Sequence, residues 1–403
     1  MIKIKIEMFP ALNGDSFLVT LLGRKTTRIL IDMGYAETYS TFIKDCLDKI
    51  EGDFKKIDLI VFSHIHQDHI AGGIKFLDEN SKKKYIEIGE VWHNGYKHIP
   101  GFNSLKSNFL SFEDKRLLQN ILLENKPKVH FSLSNSVSAN QSLDLEDLIP
   151  VDKWNSSFEG NAVCIDYKNE INLNTEVKLK LLAPNKNDLS NLNNVFDIAL
   201  KKQYKQMKTK DRIFAKLFER ILQHELTNKS NWIDRPISAI NKSLEEYLNG
   251  DAEEDIGDFV NRSSISFVIE FYNKKFLFLG DSYSSQIRNQ LLKLYPLDIN
   301  SMIYFDAIKI AHHGSKNNTS KKLLDLIDSN RFFISTNGDG HDHPDIETLS
   351  RIVCRKTTTI RELFFNYETE TCKVLNNIKW MERHKYVINL MESEVVFGEE
   401  VLR

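Results

Sequence analysis

The chain has 403 residues, of which 41% are hydrophobic and 27% are charged. These proportions are typical of a folded globular protein and exclude a disordered or collagen-like chain. The 54 basic and 56 acidic residues give a formal net charge of -2, so a nucleic-acid partner would have to be held by a local patch.

The cellular compartment is indicated by what the sequence lacks. No apolar run reaches the roughly 18 residues that a membrane-spanning helix needs, and the opening decapeptide does not have the pattern of a secretion signal. The four cysteines, Cys46, Cys164, Cys354 and Cys372, are far apart and form no zinc-ribbon spacing. We therefore expect free thiols in a cytoplasmic protein that has no contact with a membrane.

Strand and helix patterns alternate from the first residues of the chain. Short runs bounded by turn residues predict a meander of three strands, which is followed by a segment with helical spacing. A short, fully apolar strand, DLIVFS, comes next. In chain order, the predicted elements are strands over Ile2–Glu7, Ser16–Leu22 and Arg28–Asp32, a helix over Tyr39–Ile50, a strand over Asp58–Ser63, a helix over Ile70–Glu79 and a strand over Tyr85–Trp92.

The middle of the chain interrupts this alternation. Between residues 101 and 161 we predict only one helix, over 112–123, and a strand follows at Val177–Leu182. A helix-like stretch at about 188–258 then breaks the pattern and is typical of an insertion. Its basic residues favour a packed amphipathic helix with a solvated side, and a phosphate-backbone contact is the alternative.

Strands and helices alternate again after the insertion, beginning with a hairpin at 263–279. The last clear helical pattern ends at residue 353. We therefore predict one domain over residues 1–355 that includes the insertion, with a C-terminal extension of unknown role at 356–403. The predicted elements after the hairpin are helices over Gln286–Leu294, Ser320–Ile327 and Asp345–Val353, and strands over Ala307–Ala311 and Arg331–Ser335.

The motif that indicates chemistry most clearly is HIHQDH, directly after the apolar strand. In a loop leaving a strand, His64 and His66 can point the same way, while Asp68 and His69 enter a helix and point to an adjacent spot. Such donors form two neighbouring sites suited to Zn²⁺, Mn²⁺ or iron. The competing interpretation, a solvated histidine-rich loop, does not explain why an apolar strand delivers it. Two glycines that follow, at 72 and 73, would let the backbone pass close to the metals.

HIHQDHIAGG resembles the signature of the metallo-β-lactamase superfamily, whose fold is an α/β, four-layered αββα sandwich. Three further motifs occur in the expected order: ILIDMG around Asp32, FLGD ending at Asp281, and IAHHGS around His312. The resemblance implies that Asp32 supports the metal loop, that Asp281 bridges two metals and that one histidine of the pair completes the second site. Because side chains alternate along a strand, we expect only one of that pair to point inward. We favour His312 as the ligand, with His313 lining the pocket.

A narrower resemblance is to the metallo-hydrolase domain of the DNA-uptake competence protein ComEC and its stand-alone relatives. It rests on Asn261-Arg262-Ser263-Ser264, on AHHGS and on His343-Pro344. It implies a cytoplasmic phosphodiesterase or nuclease acting on nucleic acid or a nucleotide, with roles in DNA processing or antiphage defence and with a protein partner for the 188–258 insertion. It also implies two divalent metal ions, with Zn²⁺ as the first candidate and Mn²⁺ as the second.

The superfamily usually has a third histidine for the first metal where this chain has Ala183-Pro184-Asn185. His93, at a strand end, could replace that ligand, or it could have a capping or surface role. His343 could bind a substrate phosphate or protonate the leaving group, or it could stabilise a turn.

The remaining candidates are polar residues near the motifs. Asn261 and Ser264 could contact substrate or form hydrogen bonds where the hairpin begins, and Ser315 belongs to the same outer group. Asp68, His313 and His343 are the candidate catalytic residues.

The proposed chemistry is two-metal hydrolysis, in which a metal-bound hydroxide attacks phosphorus in line. Three alternatives stay open. The same site serves acyl substrates, so a thioester or lactone hydrolase is one. A non-catalytic scaffold that binds a partner through the insertion is another. A redox-active di-iron centre is the third, although it usually needs an acidic residue where this chain has His66.

Overall fold

The computed structural model describes residues 2–50, 55–99, 145–192, 243–248, 250–254, 258–296, 301–339, 342–391 and 394–400. Six strands form the first sheet, in the spatial order β16-β1-β2-β3-β4-β5. Its strands β16, β1, β2 and β3 pair antiparallel, and β3, β4 and β5 pair parallel. The strand bounds are β1 Ile2–Met8, β2 Ser16–Leu22, β3 Thr26–Met33, β4 Lys56–Val61, β5 Glu87–Trp92 and β16 Val395–Glu400.

The second sheet has eight strands in the order β15-β14-β13-β11-β9-β8-β7-β6. Five of them, from β15 to β9, run parallel to their neighbours, and the last three pair antiparallel. The bounds are β6 Glu170–Asn172, β7 Val177–Ala183, β8 Ser266–Phe271, β9 Lys274–Phe278, β11 Ala307–Lys309, β13 Arg331–Ile334, β14 Arg361–Phe365 and β15 Tyr386–Leu390. A separate parallel pair consists of β10, Ile303–Phe305, and β12, Ile327–Ser329.

The helices of the described residues are mostly short. The longest is Gln67–Lys83, called the long helix below. The α-helices besides it are Ala36–Thr38, Lys44–Asp48, Leu145–Leu148, Phe259–Arg262, Ser284–Leu294, Lys321–Leu324, Ile346–Val353, Glu370–Leu375 and Ile378–His384. One π-helical turn, Tyr39–Ile43, joins the first two of these, and 3₁₀ turns occur at Tyr96–His98, Ser156–Phe158, Leu244–Leu248 and His312–Gly314.

The alternation of side chains along the strands produces four layers. In β4, Leu59 and Val61 pack between the two sheets, whereas Ile60, between them in the sequence, packs against the outer helices. The second sheet likewise has its outer face buried, under the helices Ser284–Leu294 and Ile346–Val353. Both faces of each sheet are therefore covered, and the predicted α/β sandwich of the αββα type is confirmed.

The last fifty residues complete both sheets. Strands β14 and β15 extend the second sheet next to β13, and β16 pairs with β1 at the edge of the first. The predicted domain boundary at residue 355 therefore lies inside the sandwich, which corrects our assignment of 356–403 as an appended extension. These strands are difficult to predict from the sequence because they are short and because β14 begins with a charged residue. That residue, Arg361, is buried and paired with Asp328 at 2.8 Å.

Two further expectations change near the end of β11. The predicted strand over 307–311 ends at Lys309, so the chain leaves the sheet before the histidine pair. The predicted helix over 320–327 shortens to Lys321–Leu324, because residues 327–329 instead form β12. The predicted helix at 112–123 and most of the predicted insertion lie outside the described residues. Within the described residues, no helix is both long enough and apolar enough to cross a membrane.

Candidate metal centre

The histidine loop follows β4 and leads directly into the long helix. His66 has extended backbone angles and immediately precedes the helix, so the next residues enter its first turn. The helix is held close to the end of β3 by Gly72, whose amide donates to the Gly34 carbonyl at 2.9 Å. A Cβ on Gly72 would lie 2.0 Å from the carbonyl oxygen of Met33. The glycines that we expected beside the metals therefore pack the helix against the first sheet.

Asp32 fixes the loop from behind, where β3 ends. Its carboxylate accepts hydrogen bonds from the Ser63 amide at 2.8 Å and from the Ser63 hydroxyl at 2.7 Å. The same carboxylate accepts from Nδ1 of His69 at 2.8 Å. Asp32 is 1% exposed, so it supports a histidine in a buried position without itself facing solvent.

Asp281 reaches the centre from the end of β9 in the second sheet. Gly280 precedes it with a φ of 51°, and the Asp281 amide donates to Oγ of Ser264 at 3.2 Å. Ser264 is fully buried and supports the Asp281 backbone, which is the hydrogen-bonding role that we had considered beside a substrate contact. The carboxylate of Asp281 is 2% exposed and faces the histidine loop.

The structure corrects our expectation that only one histidine of the pair after β11 points inward. Residues 312–314 form a 3₁₀ turn in which His312, His313 and Gly314 have φ values of 47°, 55° and 90°. Strand alternation does not apply to such a turn, and both rings turn toward Asp281. Nε2 of His313 lies 3.6 Å from Asp68, on the side of the centre where we had placed His312.

One oxygen of Asp281 is the midpoint of the centre. Its Oδ2 lies 3.6 Å from Nε2 of His64, 3.6 Å from that of His69, and 3.7 Å from those of both members of the histidine pair. These distances exceed a normal hydrogen bond. Two ligands bound to one Zn²⁺ at about 2.0–2.2 Å each lie no more than about 4.4 Å apart. The spacing therefore fits donors that share a metal ion.

The second nitrogen of each of these rings is already occupied. Nδ1 of His69 donates to Asp32, and Nδ1 of His313 donates to the Ser335 carbonyl at 2.9 Å. Nδ1 of His64 lies 3.0 Å from Oγ of Ser63, a hydroxyl that donates its own proton to Asp32. Each contact holds Nδ1 and turns Nε2 toward Asp281, as the outer partners of metal-binding histidines do; Nε2 of His64 also lies 2.8 Å from Nδ1 of His66.

The candidate ligands form two adjoining groups. One contains His64, His66 and Asp281, and the other contains Asp68, His69 and His313; within each group the donor atoms lie within 4.8 Å of one another. A third combination, Asp15, Asp32 and His69, meets the same distance criterion. Its two carboxylates already have partners, because Asp32 binds the histidine loop and Asp15 forms a buried ion pair with Lys309.

The pKa values reflect this concentration of acidic groups. Burial lowers the pKa of His69, but the carboxylates of Asp68, Asp32 and Asp281 outweigh that effect and raise it to about 10. Burial would raise the pKa of Asp281, yet the surrounding histidines hold it well below its ordinary value. Buried carboxylates require compensating positive charge, so two divalent cations suit this donor set.

Asp15 and Lys309 connect the two sheets behind His313. Burial would raise the pKa of Asp15, but Lys309 and His313 hold it at about 2. Lys309 also donates to the Gly280 carbonyl at 3.2 Å, one residue before Asp281. Sequence reasoning missed both residues. A lysine inside the short apolar strand IKIA was the available signal, because a lysine there must find a buried carboxylate.

Three other predicted residues lie around this centre. The ring of His343 faces that of His312 at a centroid distance of 5.5 Å, and its Nδ1 lies 3.3 Å from Asp345. Nδ2 of Asn261 lies 3.4 Å from Nε2 of His312. Oγ of Ser315 accepts from the Asn317 amide at 3.4 Å, within the turn that follows the histidine pair.

His93 lies outside both groups of candidate ligands. Its ring stacks on Trp154 at 6.1 Å and meets the edge of Phe62 at 6.3 Å. Its carbonyl accepts hydrogen bonds from Trp154 and Asn155, so the residue anchors the loop after β5. These contacts favour the capping role that we had considered for His93 over that of an extra ligand.

Part of the chain is similar to a known protein family. Residues 10–125 match the family model described as Metallo-beta-lactamase superfamily. Among solved structures, the chain is similar to the metallo-beta-lactamase fold protein YhfI from Bacillus subtilis, at 7% sequence identity and a TM-score of 0.37, over 98% of this chain and 99% of that one. No curated protein matches the sequence. Residues 10–125 are therefore similar to a metallo-β-lactamase superfamily domain, and this similarity suggests a metal-dependent hydrolase.

Proposed function

We propose that this protein is a metal-dependent phosphodiesterase, and that nucleic acid or a nucleotide is its substrate. The observation that carries the proposal is the position of Asp281 between two groups of nitrogen and oxygen donors. Two divalent ions bound there would supply an activated water and neutralise charge that develops on the phosphate. Zn²⁺ suits the imidazole-rich donor set, and Mn²⁺ is the second candidate.

The polar wall beside the donors favours a phosphate over an acyl group. His343, Asn261 and the partly exposed ring of His312 lie together on one side of the centre. A thioester or lactone site would need an apolar pocket for the acyl chain. Hydrogen-bonding groups next to the metal-binding atoms suit the nonbridging oxygens of a phosphodiester.

The side chains at the centre would have three roles: metal binding, support of a ligand, and contact with the substrate. His64, His66, Asp68, His69, Asp281 and the histidine pair would hold the ions. Asp32 would keep the proton on Nδ1 of His69, as the 2.8 Å hydrogen bond indicates. His343, held by Asp345, is placed to bind a substrate oxygen or to donate a proton to the leaving oxygen.

The test is hydrolysis by the purified protein of single-stranded DNA, double-stranded DNA, RNA and bis(p-nitrophenyl) phosphate, each with Zn²⁺ or Mn²⁺. A thioester and a lactone are tested in parallel. The comparison variant is His66→Ala with Asp68→Ala, which removes one donor from each group. The matched control is His384→Ala with Asp306→Ala, since these residues form ion pairs elsewhere on the fold.

We expect phosphodiester cleavage by the wild type and the control, and none by the double donor variant. The polymer that is cut fastest identifies the substrate class. Cleavage of the acyl substrates alone would replace the phosphodiesterase with an acyl hydrolase on the same donors. Equal phosphodiesterase activity in the double donor variant would refute a role for the centre.

A further inference from the structure

We propose that the two consecutive histidines are divided between the two metals: His313 binds with Asp68 and His69, and His312 replaces the missing third histidine beside His64 and His66. Asp281 lies between both groups. This inference concerns the same centre as the proposed function, but it requires only that the centre binds metal, whatever the substrate.

His312 is oriented as a ligand by an asparagine. The side-chain amide of Asn318 donates to the carbonyls of Asp281 at 3.0 Å and Ser282 at 3.1 Å. Those two bonds fix the amide, so Oδ1 is the atom that faces Nδ1 of His312 at 3.0 Å. An amide oxygen only accepts, which places the ring proton on Nδ1 and the lone pair on Nε2.

The lone pair of His312 points into the centre. Its Nε2 lies 3.7 Å from Oδ2 of Asp281, the same distance as the corresponding nitrogen of His313. The contact with Nδ2 of Asn261 is long, at 3.4 Å, and that amide has a shorter bond of 2.7 Å to Asp258. Because the amide is already bound, a metal can take the lone pair of His312.

The carboxylates nearest the two rings separate His312 from the Asp68 side of the centre. Asn261 lies 3.4 Å from Nε2 of His312 and donates to Asp258 at 2.7 Å. In the described part of the chain, the only carboxylate within 4.0 Å of a His312 ring nitrogen is Asp281. His313, in contrast, lies within 3.6 Å of Asp68.

The residue at the usual ligand position has another role in this chain. Asn185 forms reciprocal hydrogen bonds with Asp188, at 3.0 Å and 2.9 Å, in the turn after β7. Asp188 in turn accepts from Gln286 at 2.8 Å. The turn therefore uses its polar groups internally, and His312 is left to supply a third protein nitrogen near His64 and His66.

Metal counting in paired variants tests this division without any measurement of activity. Each protein is stripped with chelator, dialysed against Zn²⁺ and analysed by inductively coupled plasma mass spectrometry. We expect two ions per wild-type chain and one in His312→Ala. Adding His66→Ala should leave the count at one, because both changes affect the same ion. Adding His69→Ala instead should reduce it to zero.

The opposite pattern would overturn the inference. If His312 bound the same ion as His69, the double variant His312→Ala with His69→Ala would keep one ion. The double variant His312→Ala with His66→Ala would then keep none. An unchanged count in His312→Ala would overturn it as well. A wild type that binds two ions but cleaves no phosphodiester would reject the proposed function alone, and a wild type that binds none would reject both.

Folding is checked in every variant, and two further variants are included. Circular dichroism of every apo-protein in chelator shows whether it folds, and His384→Ala controls for the loss of a histidine away from the centre. Asn318→Leu keeps His312 but removes its orienting acceptor. We expect the Zn²⁺ affinity of one ion to fall about 10- to 100-fold in that variant, as for other outer partners of metal-binding histidines. An unchanged affinity in folded Asn318→Leu would contradict the orienting role on which the inference rests.

Discussion

The two sheets supply the metal centre in different ways. The first sheet contributes four donors within six residues, all on the loop and helix that follow β4. The second sheet contributes single residues from separate strand ends: Asp281 after β9, and the histidine pair after β11. The first half is a local motif, whereas the second half exists only because β9 and β11 are parallel neighbours. A local motif can be recognised in the sequence, whereas a site built from distant residues can be recognised only in the folded structure.

The supporting carboxylates show the same contrast. Asp32 belongs to the first sheet and holds a histidine of that sheet's own loop. Asp15 directly precedes β2 of the first sheet, but its partners are Lys309, in β11 of the second, and His313, in the turn after β11. The donors of the second sheet therefore depend on contact between the sheets, and those of the first depend mainly on the end of β3.

Loss of Asp281 should have the largest effect, because both groups of donors face it. We expect Asp281→Asn to lower metal affinity by more than the roughly 100-fold typical of outer partners, and to affect both ions. The measurement is Zn²⁺ titration of the apo-protein by calorimetry. Asp306→Asn is the matched control, since Asp306 directly precedes β11 of the second sheet and pairs with Lys274 at 3.1 Å. Two ions bound tightly to Asp281→Asn would contradict the central position of this residue.

Breaking the Asp15–Lys309 pair should destabilise the fold itself. Asp15→Asn leaves a buried ammonium without its carboxylate, which costs about 3–5 kcal/mol of unfolding free energy. Replacing both residues, as Asp15→Leu with Lys309→Met, should recover most of that loss because no charge remains buried. Urea denaturation of the apo-proteins measures both effects. A single variant as stable as the wild type would show that the pair does not join the sheets.

The C-terminal strand tests whether the edge of the first sheet packs on the second. Phe397 in β16 is 3% exposed and meets the ring of Phe276 at 5.1 Å, edge to face. We expect Phe397→Ala to cost about 3 kcal/mol in urea denaturation. Val396, its neighbour in the strand, is 40% exposed, and Val396→Ala should cost far less. Equal losses from the two variants would place Phe397 outside the core.

The smallest effect is expected for the support within the first sheet. Asp32→Asn keeps an acceptor for the Ser63 amide but weakens the hydrogen bond to His69, so metal affinity should fall about 10- to 100-fold. The ion lost first should be the one held with His69, as judged by comparison with His69→Ala. Asp78→Asn, on the exposed side of the long helix, is the control. A uniform loss from both ions would indicate that Asp32 organises the whole loop.

The sequence predicted the first half of the centre better than the second for a physical reason. The loop motif follows an apolar strand, and both features are local, so His64, His66, Asp68 and His69 could be named with their chemistry. The inward direction of both His312 and His313 could not, because it depends on three consecutive residues with positive φ. Strand alternation was the wrong rule there, since the strand ends at Lys309.

Long-range pairings were hidden for the same reason. Asp15 and Lys309 are 294 positions apart, and each alone is an ordinary charged residue in the sequence. Strands β14 to β16 are short, and their places in the sheets depend on partners as distant as β1. The family resemblance supplied Asp281 among the many aspartates, and spacing alone did not.

Asp281 and the Asp15–Lys309 pair lie where the two sheets meet, and this position has a consequence for folding kinetics. A complete metal centre cannot form until the two sheets have docked, because its donors come from both. A spectroscopically visible ion such as Co²⁺ would therefore report docking in a refolding experiment, separately from the secondary structure that circular dichroism detects. Metal ions would act on the docked state and slow its separation, so an excess of metal should lengthen the lifetime of the native protein more than it speeds folding.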